Sequence, residues 1–366
     1  MPSPTTARDP TETILSTSAL NSKHLCDYVV NVATGCSHGC KFCYVPNSPN
    51  IRTRGKMLSE EVDVDDGQKE WGDYVLYRDT IPERLPGILD RKRTWNSTEH
   101  GQGIVMLSSG TDCFMDPRAG DITIQTIQTL ANHERHTRVL TRNPLLAARG
   151  HVDADETAVD LPSSSYLDTL TAAAESGYLT VGSSINTLNP DLATAIEPGA
   201  PLPQQRLNGL RELSEAGIPV YVSMSPTYPT MDRSDLEHLL EQLSQLNPEV
   251  IFHEVINPRG GNFDLTVSAA RENGCTEAAT ELERIADSTD KWVEYGIRQY
   301  TQVQQICEQK GLPLHIWPDK KIINHAPDDH ADWLSQWLHR QSVEPFANRP
   351  TPASGPPTPP QRLDSF

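Results

Sequence analysis

The chain has 366 residues, with 31 Lys and Arg against 49 Asp and Glu and a net charge of −18 at pH 7. That length holds roughly two average domains, or one α/β barrel with additions. Low mean hydropathy of −0.50 and no apolar run near the ~20 residues of a bilayer-spanning helix argue against a membrane protein. The acidic excess disfavours nucleic acid as a partner without forbidding a local basic patch.

The opening MPSPTTARDPTET lacks the basic-then-apolar order of a signal peptide. Ten of 29 prolines fall in residues 1–10 and 345–366. Residues 1–22 and 343–366 therefore read as loose, disordered tails around an ordinary core. Asp27–Val32 reads as the first strand, followed by a cysteine loop and a hairpin-like insertion at about 44–72. Asp73–Tyr77 is a short β-like run, and Thr80 starts a helix to about Arg93. Gly103–Ser109 is a buried strand, Ile122–His133 a helix, His136–Thr141 a strand. Tyr166–Ser176 is a helix and Tyr178–Ile185 a strand. Pro203–Ala216 is a helix with Leu207, Leu210 and Leu213 on one face, ended by Gly217 and Pro219. Val220–Ser225 is a strand, Leu236 to Leu246 an apolar helical stripe, Val250–Val255 a strand. Six βα units between about 27 and 258 predict a parallel sheet with crossover helices. Residues 23–258 form the expected core. Residues 259–342 form an α/β extension with a strand-like Leu312–Trp317 and a Trp-bearing end (Trp333, Trp337). The sequence has no internal repeat.

Of seven cysteines, Cys36, Cys40 and Cys43 lie within eight residues. In a chain without a secretion signal this points to metal or redox chemistry in a reducing cytoplasm rather than to disulfides. A structural zinc site closes its shell with four ligands. Here the local run offers three, and His38, inside the loop, is awkwardly placed as a fourth. Three thiolates suit a [4Fe–4S] cluster with one iron left open. Gly35 and Gly39 let the backbone wrap closely around a bulky group. Cys26, Cys275 and Cys307 are isolated and read as core residues.

The run Thr34–Gly–Cys–Ser–His–Gly–Cys–Lys–Phe–Cys–Tyr44, a C-x3-C-x2-C motif after the first strand, resembles the radical S-adenosylmethionine (SAM) superfamily. Further segments resemble its spore photoproduct lyase-like (DNA repair photolyase-like) branch: VGSSINTLNPDL at 181–192, IEPGAPLPQQRL at 196–207, LSEAGIPV at 213–220 and Ser225–Pro226. Phe42 stands where that branch usually has Tyr. The resemblance implies a partial (β/α)6 TIM-like barrel with its site at the C-terminal mouth of the strands. It implies a [4Fe–4S] cluster on Cys36, Cys40 and Cys43, SAM on the open iron, and reductive cleavage to a 5′-deoxyadenosyl radical. An external one-electron reductant of the flavodoxin or ferredoxin kind is implied too. For SAM contacts it points to Tyr44, Ser109, Gly110, Thr111, Arg142, Ser184, Asn186, Glu197 and Arg206. Arg206 is the natural partner of the SAM carboxylate, although Glu197 and Arg206 could also pair with each other. Cys113, expected at the mouth, is a candidate hydrogen donor.

The substrate is not specified. Lys41, Arg52, Arg54 and Lys56, then Arg91–Arg93, then Arg135, His136, Arg138 and Arg142 form three basic groups, as a nucleic-acid reader needs. Glu60, Glu61, Asp63, Asp65 and Asp66 follow the first at once. A DNA lesion is therefore disfavoured against another substrate. A second class stays open: a non-catalytic iron–sulfur or zinc module for electron transfer or assembly.

Overall fold

The computed structural model describes residues 3–20, 25–98, 101–107, 109–152 and 165–343. Thirteen strands follow in chain order: β1 (Thr5–Arg8), β2 (Ser16–Thr17), β3 (Tyr28–Val30), β4 (Ala33–Gly35), β5 (Tyr74–Tyr77), β6 (Ser97–Thr98), β7 (Gly101–Gln102), β8 (Val105–Leu107), β9 (Thr137–Thr141), β10 (Leu179–Ser184), β11 (Val220–Thr227), β12 (Ile251–Val255) and β13 (Leu314–Ile316). The main sheet has the order β13, β12, β11, β10, β9, β8, β3, β2. All its neighbours pair parallel except β2, which borders β3 antiparallel. The two edges do not pair, so the sheet is a partial barrel.

The six expected strands are β3 and β8 to β12, each within a residue or two of its expected range. Their residues are almost all buried, as parallel strands covered on both faces must be. Helices Pro117–Asn132, Tyr166–Glu175, Pro203–Glu215 and Arg233–Ser244 carry the chain back between strands. The leucine stripes of the last two are fully buried. Gly217 takes φ +82°, the left-handed conformation expected just past a helix end.

Three expectations change. The chain before residue 23 is not simply a tail. β1 pairs parallel with β5, and β5 pairs antiparallel with β4, giving a small sheet directly under the cysteine loop. The insertion at 44–72 is helical rather than a hairpin, with helices Pro49–Arg52 and Gly55–Val62. The extension after residue 258 adds to the six expected parallel strands. Its strand β13 joins the main sheet beside β12 as a seventh parallel strand. Trp317 stacks on Phe252 with ring centroids 4.4 Å apart. The buried Gln304 amide oxygen accepts hydrogen bonds from the indoles of Trp333 (3.0 Å) and Trp337 (2.9 Å), which docks the last helix. The proline-rich segment after residue 343 lies outside the described residues.

The small sheet is held by a buried carboxylate. Asp9 accepts from Arg78 Nε (2.9 Å), Thr34 Oγ1 (2.6 Å) and, at longer range, Arg54 Nη1 (3.5 Å). Burial works to raise the Asp9 pKa, but Arg78 and the hydrogen bonds from Thr11 and Thr34 hold it below the ordinary value. Removing the anion would leave Arg78 buried and unpaired. We therefore expect Asp9→Ala to cost about 3–5 kcal/mol of unfolding free energy at pH 7. The folded pKa lies below the unfolded 3.8, so this contribution is complete above that value and is lost as pH falls through the folded one. Urea unfolding of both proteins should show a gap that narrows in acid. A gap below about 1 kcal/mol at pH 7, the size of an exposed pair, would refute the role.

Candidate active site at the barrel mouth

Strand β4 delivers the chain into the cysteine loop. Gly35 and Gly39 have φ of +91° and +57°, as the expected tight wrap requires. A Cβ at Gly35 would lie 2.3 Å from the Tyr74 carbonyl oxygen. All seven cysteines are free thiols. Cys36 and Cys40 are buried and Cys43 is half-buried. Burial raises all three thiol pKa values, Cys40 to about 12 and Cys43 to about 11. Without a bound cation these thiols keep their protons.

The loop is gripped from outside. Lys41 N–H donates to the Ile196 carbonyl (2.8 Å), and Gly199 N–H donates to the His38 carbonyl (3.0 Å). Thr111 Oγ1 donates to the Gly35 carbonyl (2.5 Å), and Asn262 Nδ2 donates to the Phe42 carbonyl (2.8 Å). A Cβ on Gly199 would fall 2.2 Å from the Ser37 carbonyl oxygen, so only glycine allows this approach.

The donor set suits a polynuclear cluster better than a single ion. Among the described residues, no three His, Cys, Asp or Glu side chains are arranged to hold one metal ion. His38 lies inside the loop, buried, with Nδ1 3.4 Å from Asp112 Oδ2 and neither ring nitrogen hydrogen-bonded among the described residues. Three thiols on one short loop suit an open-iron cluster.

The expected SAM contacts divide into two groups. Tyr44, Ser109 and Gly110 gather at the mouth. The Tyr44 ring is 64% exposed and its hydroxyl donates to the Ser109 carbonyl (3.3 Å). Arg142 follows β9, its guanidinium carbon 4.9 Å from the Phe42 ring centroid and Nη1 2.9 Å from Glu197 Oε1. The others are committed to the protein interior. Arg206 is buried. It donates to Glu197, to the Pro201 carbonyl (2.7 Å) and to the Ser184 carbonyl (3.2 Å). It is a structural ion-pair partner rather than an accessible carboxylate ligand. Glu197 sits between two arginines. Burial works against its ionisation, yet Arg142 and Arg206 hold its pKa below the usual carboxylate range. Asn186 is buried and donates to the Tyr228 hydroxyl (3.0 Å). Thr111 is buried against the Gly35 carbonyl and is not open at the mouth. Cys113 is fully buried in the main hydrophobic core, with its carbonyl accepting from Thr123 Oγ1 (2.8 Å). Its side chain packs among core residues rather than standing open at the mouth. Ser108 lies outside the described residues.

Two residues at this site escaped the sequence reading. Asn31, just past β3, accepts from Gly110 N–H (2.8 Å) and Ser109 Oγ (3.3 Å) and so shapes the Ser109–Gly110 turn. Asp112 ties β9 to the same loop. The available signal was position alone, since each follows the C-terminal end of a parallel strand.

The fold and site together define an α/β partial-barrel protein built around a three-cysteine loop. The family model for the radical SAM superfamily matches residues 30–243. The chain belongs to that superfamily, whose members are enzymes using a [4Fe–4S] cluster and SAM. ORF301, an uncharacterised protein of Acidianus two-tailed virus, is 28% identical over 248 residues, 66% of this chain and 71% of its own length. An uncharacterised protein of Methanocaldococcus jannaschii is 25% identical over 215 residues, 58% of this chain and 64% of its own length. A spore photoproduct lyase with a cysteine-to-alanine substitution superposes with a TM-score of 0.52 at 13% identity, over 85% of this chain and 80% of that one. A spore photoproduct lyase complexed with dinucleoside spore photoproduct gives 0.50 at 14% identity over the same shares. At such identity the likeness is one of fold.

Gly199→Ala tests the grip on the loop. Backbone meets backbone there, so the clash cannot be relieved by a rotamer, and overpacking of about 1–3 kcal/mol follows. We expect iron bound per chain after anaerobic reconstitution to fall several-fold. Wild-type iron content in this variant would contradict the geometry.

Proposed function

We propose that this chain is a radical SAM enzyme that holds its [4Fe–4S] cluster through Cys36, Cys40 and Cys43. The observation that carries this reading is the C-x3-C-x2-C loop at the mouth of the partial barrel, with three free thiols, two buried and one half-buried. When bound, the cluster and SAM supply one-electron cleavage of the sulfonium to methionine and a 5′-deoxyadenosyl radical. The protein's task is to orient these groups and keep water away. In this reading Tyr44, Ser109, Gly110 and Arg142 face SAM. Glu197, Arg206, Ser184 and Asn186 shape the wall behind them. An external one-electron carrier of the flavodoxin or ferredoxin type reduces the cluster.

A nucleic-acid lesion is the weaker substrate reading. Several of the basic residues that looked like a footprint are engaged within the protein, although Arg52, Lys56, Arg91 and Arg93 remain exposed. Arg54 reaches Asp9 and Thr34, and the buried Arg138 donates to the Leu25 carbonyl (2.5 Å). Arg142 is held by Glu197, and Lys92 and Arg135 lie over the Trp95 ring. Among the described residues, no helix is long and apolar enough to cross a membrane.

The test is biochemical. Reconstituted protein with dithionite and SAM should release 5′-deoxyadenosine. Alanine at Cys36, Cys40 or Cys43 should abolish both this product and the absorption near 400 nm. An intact cluster that never cleaves SAM would favour the electron-transfer or assembly module instead. Arg142→Gln should weaken SAM binding to the reconstituted protein about tenfold, or ~1.4 kcal/mol. Unchanged binding in equilibrium dialysis would remove Arg142 from the SAM site.

A further inference from the structure

Asp112 is buried on the turn between β8 and the Pro117–Asn132 helix. Four groups surround its carboxylate. Oδ1 accepts from Phe114 N–H (2.9 Å) and Thr141 Oγ1 (2.6 Å). Oδ2 accepts from Arg142 N–H (2.6 Å) and faces His38 Nδ1 at 3.4 Å. The first three donors fix the turn after β8 and the end of β9. The fourth belongs to the cysteine loop, midway between Cys36 and Cys40. No lysine or arginine side chain ion-pairs with Asp112 among the described residues.

A buried carboxylate costs free energy unless donors fill its lone pairs. Three hydrogen bonds to Asp112 come from the ends of β8 and β9, and the 3.4 Å approach of His38 is its contact with the cysteine loop. A buried imidazole carries the same requirement, and Asp112 is the group that His38 faces. The His38–Asp112 contact is longer than an ordinary hydrogen bond. Neither His38 ring nitrogen has a hydrogen-bond partner among the described residues, and Asp112 is the polar group it faces.

We propose that Asp112 is a positioning residue that latches the cluster loop, through His38, to the strand ends that carry Ser109, Gly110 and Arg142. The latch sets the loop in its ligating shape and aligns it with the SAM side of the mouth. This inference rests on the assignment of Cys36, Cys40 and Cys43 as cluster ligands.

The experiment compares Asp112→Asn, His38→Leu and His38→Gln with Leu240→Ala, which truncates a buried leucine of the Arg233–Ser244 helix. Iron and sulfide per chain are measured after anaerobic reconstitution of the full chain, beside the melting temperature of each apo-protein. Asp112→Asn exchanges an acceptor for a donor, and His38→Leu removes the imidazole. Both should bind at least threefold less iron than wild type, with a loss beyond what their melting shift predicts from Leu240→Ala. His38→Gln keeps a donor near Asp112 and should load within twofold of wild type. The latch is overturned if Asp112→Asn and His38→Leu load normally. It is also overturned if iron loss merely tracks melting temperature, or if His38→Gln loads no better than His38→Leu. Cysteine variants that still bind iron would instead sink the ligand assignment.

Discussion

Everything at the mouth of this barrel depends on burying charge without stranding it. Three thiols, two carboxylates and two guanidinium groups share the protein interior around one short loop. An isolated buried ion is costly, so each of the charged side chains has its counterpart. Glu197 lies between Arg142 and Arg206, and Asp112 takes donors from two strand ends. These partners come from β9, from the segment after β10 and from the start of the Pro203–Glu215 helix. Sheet register and site geometry are therefore one problem. If β9 slipped by a residue, Thr141 and Arg142 would leave Asp112 and Glu197 together.

The same logic explains why the N-terminal strand matters. The cysteine loop leaves the main sheet through β4, which pairs with β5 rather than with a barrel strand. β5 in turn pairs with β1, and Asp9, one residue past β1, binds Thr34 in β4 and Arg78 after β5. The loop thus has a floor that is stitched by residues 5–9. On the opposite side, Ile196 and Gly199 clamp it through backbone hydrogen bonds. The cysteine loop is supported by the N-terminal strand and by the segment between β10 and β11.

Much of this was legible in the sequence, for identifiable reasons. Parallel strands covered on both faces are continuous apolar runs, so β3 and β8 to β12 stand out. The cysteines stand out because cluster chemistry fixes both residue type and spacing. β1 did not, since Thr–Thr–Ala–Arg is polar and its partner Tyr74–Tyr77 lies far along the chain. β13 was visible as a strand, but its place beside β12 depends on the long Thr289–Lys310 helix that separates them. Side-chain direction was the hardest to read. Gly110, Thr111, Asp112 and Cys113 are consecutive, yet they take different places, which only the turn after β8 decides. Arg206 had the right chemistry for a carboxylate ligand, and the fold supplies that carboxylate from Glu197.

That last substitution bears on what the fold likeness means. The sequence resemblance implies a cysteine thiol that returns hydrogen near the strand ends. Here Cys113 is in the core, and Cys26 and Cys307 are also buried. Cys275 stands just before the Thr276–Ala286 helix without capping it, in a cavity lined by Asn189 and Asp191. Apart from the three proposed ligands, no cysteine of the chain is therefore placed at the mouth among Tyr44, Ser109 and Gly110. A barrel shared at 13% identity is a shared fold and does not dictate which groups stand at its mouth. In this chain Tyr44, the Ser109–Gly110 turn and Arg142 over Phe42 stand there.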